Sequence, residues 1–466
     1  MPEHSYAHFI GAGGAGMSGI ALVLAARGVR VTGSDLKESR YSRALERAGV
    51  RVAIGHSADN IGDPEVVVIS SAISDTNAEL MEAHRRGIEV WPRARMLAHL
   101  AGGRKTIAVA GTHGKTTTSS MLATMLSRLG LDPTFLIGGE VDGFDTNAMH
   151  GSGEHFVVEA DESDGSFVYL TPHVAIVTNV EADHLDHYGT LEKVEETFVD
   201  FMSRTAENGS LVVCGDQPHL VDLARGTGRP VVTYGFSDEC DVHVSILGQD
   251  GIGLAIEVTT PDGASAKSAT SVPGMHMALN AAGVLAAAWV LDLDLQLAGD
   301  ALRSFSGVRR RFDLIGEEAG VTIVDDYAHH PTEVRVTLAA AKSLEFGRVV
   351  VLFQPHRYSR TESLALEFGD AFGDADHVVL MDVYSAGEAP IPGVSGKTVL
   401  ESVLRAHPKT NAAYLPHRAD IVPYLASRMR VGDVVFTMGA GDVTSMGPEL
   451  VKELSGRSER GASVCQ

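Results

Sequence analysis

The segment richest in chemistry is a lysine-bearing turn that follows a short apolar run. Residues 106–110 are apolar or β-branched, and G111-T-H-G-K-T-T-T118 follows them. A turn of this kind brings backbone N–H groups and a helix N-terminus to one point, which suits a phosphate. Lys115 adds a mobile positive charge, and the Thr116 hydroxyl is a ligand for Mg²⁺. The generic P-loop has glycine five residues before Gly114, where this chain has Val109, so the predicted loop is shorter.

A second glycine-rich turn lies near the N-terminus. Gly11, Gly13 and Gly16 form G-x-G-x-x-G after the apolar run 6–10, and Asp35 follows Gly16 by nineteen residues. Glycines let the backbone approach a pyrophosphate, and the acid can bind a ribose hydroxyl. NAD(P) and a UDP-sugar both carry these groups, so the motif does not name its ligand. The structural alternative is that these glycines only allow tight packing of strand and helix.

Acids and imidazoles follow the next two apolar runs. The run 155–160 leads into D161-E-S-D164, and the run 174–179 ends in V180-E-A-D-H-L-D-H-Y188. Glu159 comes where a strand emerges beside the phosphate loop, a usual position for a carboxylate that binds Mg²⁺. Like charges crowded at a strand end repel one another without a cation. We therefore expect Asp183 and His184 at the metal, although each alone is more often a surface residue.

The C-terminal third has three polar groups, each after an apolar run. They are D325-D-Y-A-H-H330, Q354-P-H-R-Y-S-R360 and G439-A-G-D442. In open α/β sheets ligands bind outside the carboxyl ends of the strands. Arg357 and Arg360 suit a carboxylate or a phosphate, although a solvated arginine pair is the plain alternative. Upstream, His276 and Asn280 share one face of an alanine-rich helix and could reach an adenine or a ribose.

The apolar runs alternate with helical segments, which predicts an α/β protein. The 466 residues exceed what one core supports. We expect a Rossmann-like N-terminal domain (1–103), a central P-loop-type mononucleotide-binding α/β domain (104–309) and a C-terminal Rossmann-like α/β domain (310–456). Residues 209–262 read as a β-rich flank without a site, and residues 457–466 as a disordered tail.

Composition narrows the class of protein. With 44% hydrophobic and 21% charged residues the chain is ordinary globular material. A formal charge of -22 argues against broad nucleic-acid binding. No apolar run is long enough for a membrane span, and no secretion signal opens the chain. Three cysteines without metal or redox spacing fit reduced thiols, and we expect a cytoplasmic protein.

Together these motifs resemble the Mur ligases over nearly the whole chain. The segments are G11-A-G-G-A-G-M17, G111-T-H-G-K-T-T-T118, E159-A-D-E-S-D164, T178-N-V-E-A-D-H-L-D186, D325-D-Y-A-H-H-P-T-E333 and F353-Q-P-H-R-Y-S-R-T361. The shortened phosphate loop is itself typical of that family. Met277 departs from the pattern, because many members have Asn there.

The resemblance implies a set of binding residues. A UDP-sugar would bind at Gly11, Gly13, Gly14, Ala15, Gly16, Met17, Asp35, Ser70 and Ser71. ATP would bind at Gly111, Thr112, His113, Gly114, Lys115, Thr116, Thr117, His276, Asn280, Arg310, Arg311 and Asp442. Mg²⁺ would bind at Thr116, Glu159 and His184, and an amino acid at Tyr327, His329, Arg357 and Arg360.

The implied reaction is ATP-dependent amide formation during peptidoglycan synthesis. L-Alanine would be joined to the lactyl carboxylate of UDP-N-acetylmuramate through an acyl phosphate, giving ADP and phosphate. Lys115, Arg357 and Arg360 would serve catalysis, with His329 as the candidate base. The nearest alternative is a ligase that attaches a ready-made tripeptide to the same sugar. An NAD-dependent oxidoreductase and a non-catalytic nucleotide switch each leave motifs without a role. The sequence leaves monomer and homodimer both open.

Overall fold

The structure, a computed structural model, describes residues 5–464, without the side chains of residue 186 and of residues 457–464. It contains three sheets, of five, ten and six strands, each combined with helices. The predicted three-part α/β architecture is confirmed.

The N-terminal sheet is wholly parallel, in the order β3-β2-β1-β4-β5. This is a Rossmann-type order, in which β1 lies at the point where the strand order reverses. All five residues of β1 are buried, as are residues 66–68 of β4. The elements are β1 (Tyr6–Ile10), α1 (Ala15–Ala26), β2 (Arg30–Asp35), α2 (Arg40–Arg47), β3 (Arg51–Ile54), a 3₁₀ turn (Ala58–Asn60), β4 (Val66–Ile69), α3 (Ala78–Arg86), β5 (Glu89–Pro92) and α4 (Arg93–Ala101).

The central sheet has the order β15-β14-β13-β12-β11-β10-β6-β9-β7-β8. Strand β6 lies between β10 and β9, parallel to both, and only its first residue is exposed. The elements are β6 (Lys105–Ala110), α5 (Lys115–Arg128), β7 (Thr134–Val141), β8 (Thr146–Met149), β9 (His155–Glu159), a 3₁₀ turn (Ser166–Tyr169), β10 (Val174–Val177), α6 (Leu185–Tyr188), α7 (Leu191–Ser203), β11 (Ser210–Cys214), α8 (Pro218–Gly226), β12 (Val231–Gly235), β13 (Val242–Asp250), β14 (Gly253–Thr259), β15 (Ser265–Ala269), α9 (Met275–Val290) and α10 (Leu295–Leu302).

The region read as a β-rich flank contains the helix α8. Pro218 opens this helix at its first turn, where a missing N–H costs nothing. Leu220, Val221 and Ala224 are its buried residues, spaced as on one face of a helix. The expectation of strands alone was therefore wrong for residues 218–226.

The C-terminal sheet has the order β16-β17-β21-β18-β19-β20. Strands β16 and β17 form an antiparallel hairpin, and the other pairs are parallel. The elements are β16 (Asp313–Glu318), β17 (Val321–Asp326), α11 (Pro331–Lys342), β18 (Arg348–Phe353), α12 (Tyr358–Ser363), α13 (Glu367–Ala371), β19 (His377–Leu380), α14 (Gly396–Ala406), β20 (Ala412–Tyr414), α15 (Arg418–Ala426), β21 (Asp433–Met438), a 3₁₀ turn (Asp442–Ser445) and α16 (Met446–Val464).

The chain divides into two compact units. The first contains residues up to 247 together with 255–269 and 279–306, and the second contains 248–254, 270–278 and 307 onward. The N-terminal sheet and most of the central sheet therefore belong to the first unit, and the C-terminal sheet belongs to the second.

The last helix continues through most of the segment expected to be disordered. It runs Met446–Val464, whereas residues 465–466 lie outside the described part of the chain. No proline, the residue that breaks a helix most strongly, follows residue 448. Among the described residues, no helix is both long and apolar enough to cross a membrane.

Candidate active site

The N-terminal glycine loop joins β1 to α1 and is held by β2. Gly11 has φ +82, a conformation that favours glycine, and its N–H donates to Ser34 O at 2.9 Å. Asp35 Oδ2 accepts the N–H of Gly13 at 2.8 Å, so this acid also shapes the loop. Gly14 is the N-cap of α1, and Ala15 and Gly16 begin its first turn.

Three more predicted sugar-site residues border this loop. The Met17 side chain is 2% exposed, so its first-turn N–H is the group left for an anion. Ser70 and Ser71 follow β4, the neighbour of β1. A β-carbon placed on Gly11 would lie 3.5 Å from Ser70 Oγ. The structure thus brings the predicted sugar-site residues to one edge of the first sheet.

The lysine-bearing loop lies between β6 and α5, against the end of β10. A β-carbon at Gly111 would overlap the Thr178 hydroxyl, so the close approach requires glycine there. The N–H groups of Thr112 and His113 are bonded to Asn179, at 3.1 Å to its carbonyl and 2.8 Å to Oδ1. The helix N-terminus from Gly114 onward is therefore the part of the loop that suits phosphate.

Asn280 faces the same loop from α9. A β-carbon at Gly114 would lie 2.8 Å from Asn280 Oδ1, and the Asn280 side chain is buried. Thr117, in the first turn of α5, is buried as well. Asn179, which sequence reasoning did not single out, stands in the quoted T-N-V-E-A-D-H segment, but only the fold shows that it holds the loop.

Lys115 folds back onto its own loop. Its Nζ lies 2.6 Å from Gly111 O, 3.1 Å from Thr112 O and 2.8 Å from Glu162 Oε1. Burial disfavours the ammonium ion, but Glu162 and Asp161 outweigh burial and raise the pKa of Lys115. Burial raises the pKa of Glu162 to about 7, against the opposing effect of Lys115.

The predicted metal ligands fall into two neighbouring contacts. Thr116 Oγ1 donates to Glu159 Oε1 at 3.0 Å. His184 Nε2 lies 3.8 Å from Glu162 Oε1 and 3.7 Å from Asp183 Oδ2. Glu162, missed as an individual residue by sequence reasoning, links His184 to Lys115.

The chemistry of this group fits a hard divalent cation. Glu162 is 2% exposed, and within the described residues its Oε2 has no hydrogen-bond partner. A buried carboxylate oxygen left without a partner is costly unless a cation or water satisfies it. Carboxylate and hydroxyl oxygens are ligands that Mg²⁺ prefers.

In the second unit, three strand ends come together as predicted, because β17, β21 and β18 are neighbours. Arg310 reaches across them: its Nε lies 3.1 Å from Asp325 Oδ2, and its Nη2 lies 2.6 Å from Gly439 O. The guanidinium groups of Arg310 and Arg311 lie 4.8 and 4.9 Å from the centre of the Tyr327 ring.

Two further predicted nucleotide residues also lie in this unit. Gln354 Nε2 donates to Asp442 Oδ1 at 2.7 Å, which joins the ends of β18 and β21. Burial and then the charge of Arg311 lower the pKa of His276 to about 4, so this imidazole is neutral at pH 7. A neutral imidazole suits a nucleotide contact by hydrogen bond rather than by charge.

The predicted amino-acid residues surround two histidines. The ring of His329 lies 5.3 Å from that of Tyr327 and 5.8 Å from that of His356. Arg360 Nη1 lies 3.4 Å from His356 Nδ1, and Arg360 is 8% exposed. Burial, Arg360 and Arg357 lower the pKa of His356 to about 4. His356, which sequence reasoning passed over, is thus the neutral centre of this group.

Backbone geometry constrains both His329 and Arg357. His329 Nδ1 lies 3.0 Å from Tyr327 O, and because a carbonyl only accepts, the proton of a neutral ring sits on Nδ1 and the lone pair on Nε2. Arg357 has φ +67, and its Nε lies 3.9 Å from Glu388 Oε1. A positive φ in a side-chain-bearing residue is costly and concentrates at functional sites.

Family models match three consecutive parts of the chain. The Mur ligase family catalytic domain matches residues 6–105, the Mur ligase middle domain 109–288, and the Mur ligase glutamate ligase domain 310–441. This chain belongs to the Mur ligase family. Membership excludes the NAD-dependent oxidoreductase and the non-catalytic nucleotide switch.

Two relatives that align with nearly the full length of this Mur ligase have the same name. The UDP-N-acetylmuramate–L-alanine ligase of Pelotomaculum thermopropionicum is 47% identical over 460 residues, covering 97% of this chain and 98% of that protein. The enzyme of that name from Mycobacterium sp. (strain JLS) is 48% identical, covering 97% and 96%.

Two solved structures share the fold of this Mur ligase. The UDP-N-acetylmuramate–alanine ligase of Thermotoga maritima is 30% identical, with a TM-score of 0.78 over 96% of this chain and 98% of that chain. A murein peptide ligase from Psychrobacter arcticus is 27% identical, with a TM-score of 0.72 over 97% and 98%.

Proposed function

We propose that this Mur ligase joins L-alanine to the lactyl carboxylate of UDP-N-acetylmuramate, at the expense of ATP. The observation that carries the proposal is full-length identity of 47% to a ligase named for this reaction. The murein peptide ligase structure is 27% identical to this chain, less than the 47% of the alanine ligase, which favours alanine over a peptide as the group joined.

Amide formation from a carboxylate and an amine is uphill in water, so the carboxylate must first become an acyl donor. Transfer of the γ-phosphoryl group of ATP to the lactyl carboxylate gives an acyl phosphate. The step brings two anions together, and catalysis rests on positioning and charge neutralisation. Lys115 would leave the carbonyls of Gly111 and Thr112 and place its charge on the phosphates.

Thr116, Glu159 and His184 would hold Mg²⁺, with Glu162 beside them. The cation would neutralise phosphate charge during the transfer. Asn280 on the loop, and His276, Arg310, Arg311 and Asp442 in the second unit, are the residues proposed for the rest of the nucleotide. The glycine loop from Gly11 to Gly16 would hold the pyrophosphate of the sugar.

The amino acid would bind among the residues around His356. Arg357 and Arg360 present fixed guanidinium groups, which pair with a carboxylate in a bidentate manner. His329 Nε2 carries the lone pair and would accept a proton from the alanine amine as it attacks the acyl phosphate. Phosphate then leaves, and the amide remains.

Substrate choice tests the proposal directly. Purified protein with ATP, magnesium and UDP-N-acetylmuramate should release phosphate rapidly with L-alanine and far more slowly with the tripeptide L-alanyl-γ-D-glutamyl-meso-diaminopimelate. Release without any amine acceptor sets the background. Preference for the tripeptide would identify the tripeptide-attaching ligase instead. Absence of ADP with every acceptor would reject both ligase activities.

A cytoplasmic location belongs to the same proposal. Cys214 and Cys240 are free thiols, as expected in a reducing compartment. Alkylation of intact cells and then of their lysate, followed by mass spectrometry of Cys240, would detect oxidation if the protein occupied an oxidising compartment.

A further inference from the structure

Arg93 lies between the sugar-side glycine loop and the acidic segment that follows β9. A β-carbon placed on Gly16, in the first turn of α1, would lie 2.5 Å from Arg93 Nη1. On its other side, Arg93 Nη2 lies 3.5 Å from Asp161 Oδ2. The Arg93 side chain is 30% exposed, so a ligand in the glycine loop can reach it.

Two adjacent carboxylates, Asp161 and Glu162, face a cation from each of two loops. Asp161 Oδ2 lies 3.5 Å from Arg93 Nη2, and Glu162 Oε1 lies 2.8 Å from Lys115 Nζ. One acidic segment therefore holds both the lysine of the nucleotide loop and an arginine at the sugar loop.

The neighbouring contacts fix the distance between these loops within the first unit. Asn147 Nδ2, from β8, donates to Ala15 O at 3.1 Å. A β-carbon at Gly19 of α1 would lie 2.8 Å from Leu136 Cδ2 of β7, so α1 packs directly on the central sheet. Arg93 and Asp161 consequently meet beside a close contact between helix α1 and the central sheet.

We propose that Arg93 binds an anionic group of the UDP-sugar and that Asp161 positions it, so that sugar and nucleotide binding are coupled through the adjacent carboxylates Asp161 and Glu162. The proposal rests on the function proposed above. A guanidinium beside a helix N-terminus adds a charged, forked donor to a site already suited to anions. When Lys115 moves from Glu162 to the ATP phosphates, the negative charge of this segment is left to Arg93, which Asp161 holds over the first turn of α1. Nucleotide should therefore strengthen sugar binding, and the effect must be reciprocal.

Calorimetry on the full chain can test both the binding of the sugar by Arg93 and its coupling to the nucleotide. Dissociation constants for UDP-N-acetylmuramate would be measured with and without a non-hydrolysable ATP analogue and magnesium. Without nucleotide, Arg93→Gln should weaken sugar binding about tenfold or more, as for loss of a charge-assisted contact. In wild type the nucleotide should tighten sugar binding by about fivefold or more, and Asp161→Asn should bring that factor close to one.

The chain offers a matched control variant. A second sugar nucleotide distinguishes which anionic group of the ligand Arg93 binds. Arg40 Nη1 lies 3.2 Å from Glu140 Oε1, another ion pair between the same two sheets, and Arg40→Gln should behave as wild type. UDP-N-acetylglucosamine has the pyrophosphate but no lactyl carboxylate. If Arg93→Gln weakens both ligands, Arg93 binds the pyrophosphate; if it weakens only the muramate, Arg93 binds the carboxylate.

Three results would overturn the proposal: unchanged sugar binding in Arg93→Gln, an unchanged nucleotide effect in Asp161→Asn, or no nucleotide effect in wild type. Arg93→Lys keeps the charge and should recover part of the affinity, which a variant that merely misfolds would not do. A wild type without alanine-dependent phosphate release would reject the proposed function itself. An active wild type with a normal Arg93→Gln variant would reject only this role of Arg93.

Discussion

Lys115 places its ammonium group against two carbonyls of its own loop and against Glu162. Lys115→Ala removes the charge expected to meet the phosphates, so turnover should fall by about 10²- to 10³-fold or more. UDP-N-acetylmuramate binding without nucleotide should not weaken, because the glycine loop belongs to another sheet and the acidic segment is then left to Arg93. ADP release and calorimetry measure the two effects.

The control for this substitution is Lys105→Ala. Lys105 is an exposed lysine at the start of β6, the strand that leads into the Lys115 loop, and its Nζ lies 2.9 Å from Glu154 Oε1. It should retain wild-type turnover. Equal loss of turnover and of sugar binding in Lys115→Ala would contradict the assignment of the two ligands to separate loops.

Arg357 is held with a positive φ beside His356, which is neutral at pH 7. If its guanidinium pairs with the alanine carboxylate, Arg357→Ala should raise the KM for alanine by about 10- to 100-fold, the loss of a charge-assisted pair. The KM for ATP should change far less. Steady-state kinetics with each substrate varied would show this, with the exposed Arg405→Ala as control. A larger effect on ATP than on alanine would place Arg357 at the nucleotide instead.

At the scale of residues, the sequence predicted local geometry where the residues concerned are contiguous in the chain. The turn around Lys115 could be read directly, because strand, glycines, lysine and helix are contiguous. Glu162 lay within a quoted segment but was not singled out, since its bond to Lys115 spans 47 positions. His356 was passed over for Arg357 and Arg360 for the same reason: its neighbours His329 and Tyr384 come from other strand ends.

The N-terminal sheet contains a buried polar network that the sequence did not reveal. Glu79, on α3, is fully buried and accepts hydrogen bonds from Ser34 at 2.6 Å and Asn60 at 2.8 Å, and its Oε2 lies 3.0 Å from His8 Nε2. Burial alone would raise its pKa, but His8, Ser34 and Asn60 outweigh burial and lower the pKa of Glu79 to about 2. The network ties α3 to β1, β2 and the 3₁₀ turn.

Replacing this carboxylate should destabilise the N-terminal domain in a pH-dependent way. The folded pKa lies below the unfolded one, so the carboxylate stabilises the fold above pH 4.5 or so and loses its effect as pH falls towards 2. A shift of this size corresponds to about 3 kcal/mol. Glu79→Gln should thus lower the free energy of unfolding at pH 7 by up to about 3 kcal/mol, and the difference should narrow below pH 4.5.

The two tryptophans allow the stability of the N-terminal domain to be measured by itself. Trp91 is buried in β5, and Trp289 lies on α9, so a Trp289→Phe background leaves Trp91 as the reporter of the N-terminal sheet. Urea unfolding followed by fluorescence would be compared between Glu79→Gln and the exposed Glu317→Gln in that background. A difference that persists undiminished to pH 2 would exclude the carboxylate as its source.

At the level of elements, the sequence predicted those whose signals are strong and contiguous. Strands β1 and β6 were predicted close to their observed bounds because their apolar runs end at clear turn residues. The helix α8 did not, since nine residues with three buried positions give a weak periodic signal. The order of ten strands in the central sheet depends on pairings far apart in the chain, which no local pattern encodes.

At the level of the whole molecule, the proposed reactants are divided between the two compact units. The phosphate and sugar loops belong to the first, and Tyr327, His329, Arg357 and Arg360 to the second. In the proposed reaction, an amine bound by residues of the second unit would have to reach an acyl phosphate formed at the first. Water must also be kept from the acyl phosphate, which would otherwise hydrolyse.

We therefore expect the two units to close on one another when substrates bind, as lids and domains do in enzymes that sequester an intermediate. Small-angle scattering should show a smaller radius of gyration with a non-hydrolysable ATP analogue, magnesium and UDP-N-acetylmuramate together than without ligands. Light scattering on the same samples would fix the mass and separate closure from a shift between monomer and homodimer. Lys115→Ala, which should bind the sugar but hold the nucleotide weakly, should close less at equal ligand concentration. Identical profiles with and without ligands, at constant mass, would mean that closure is not how the amine reaches the acyl phosphate.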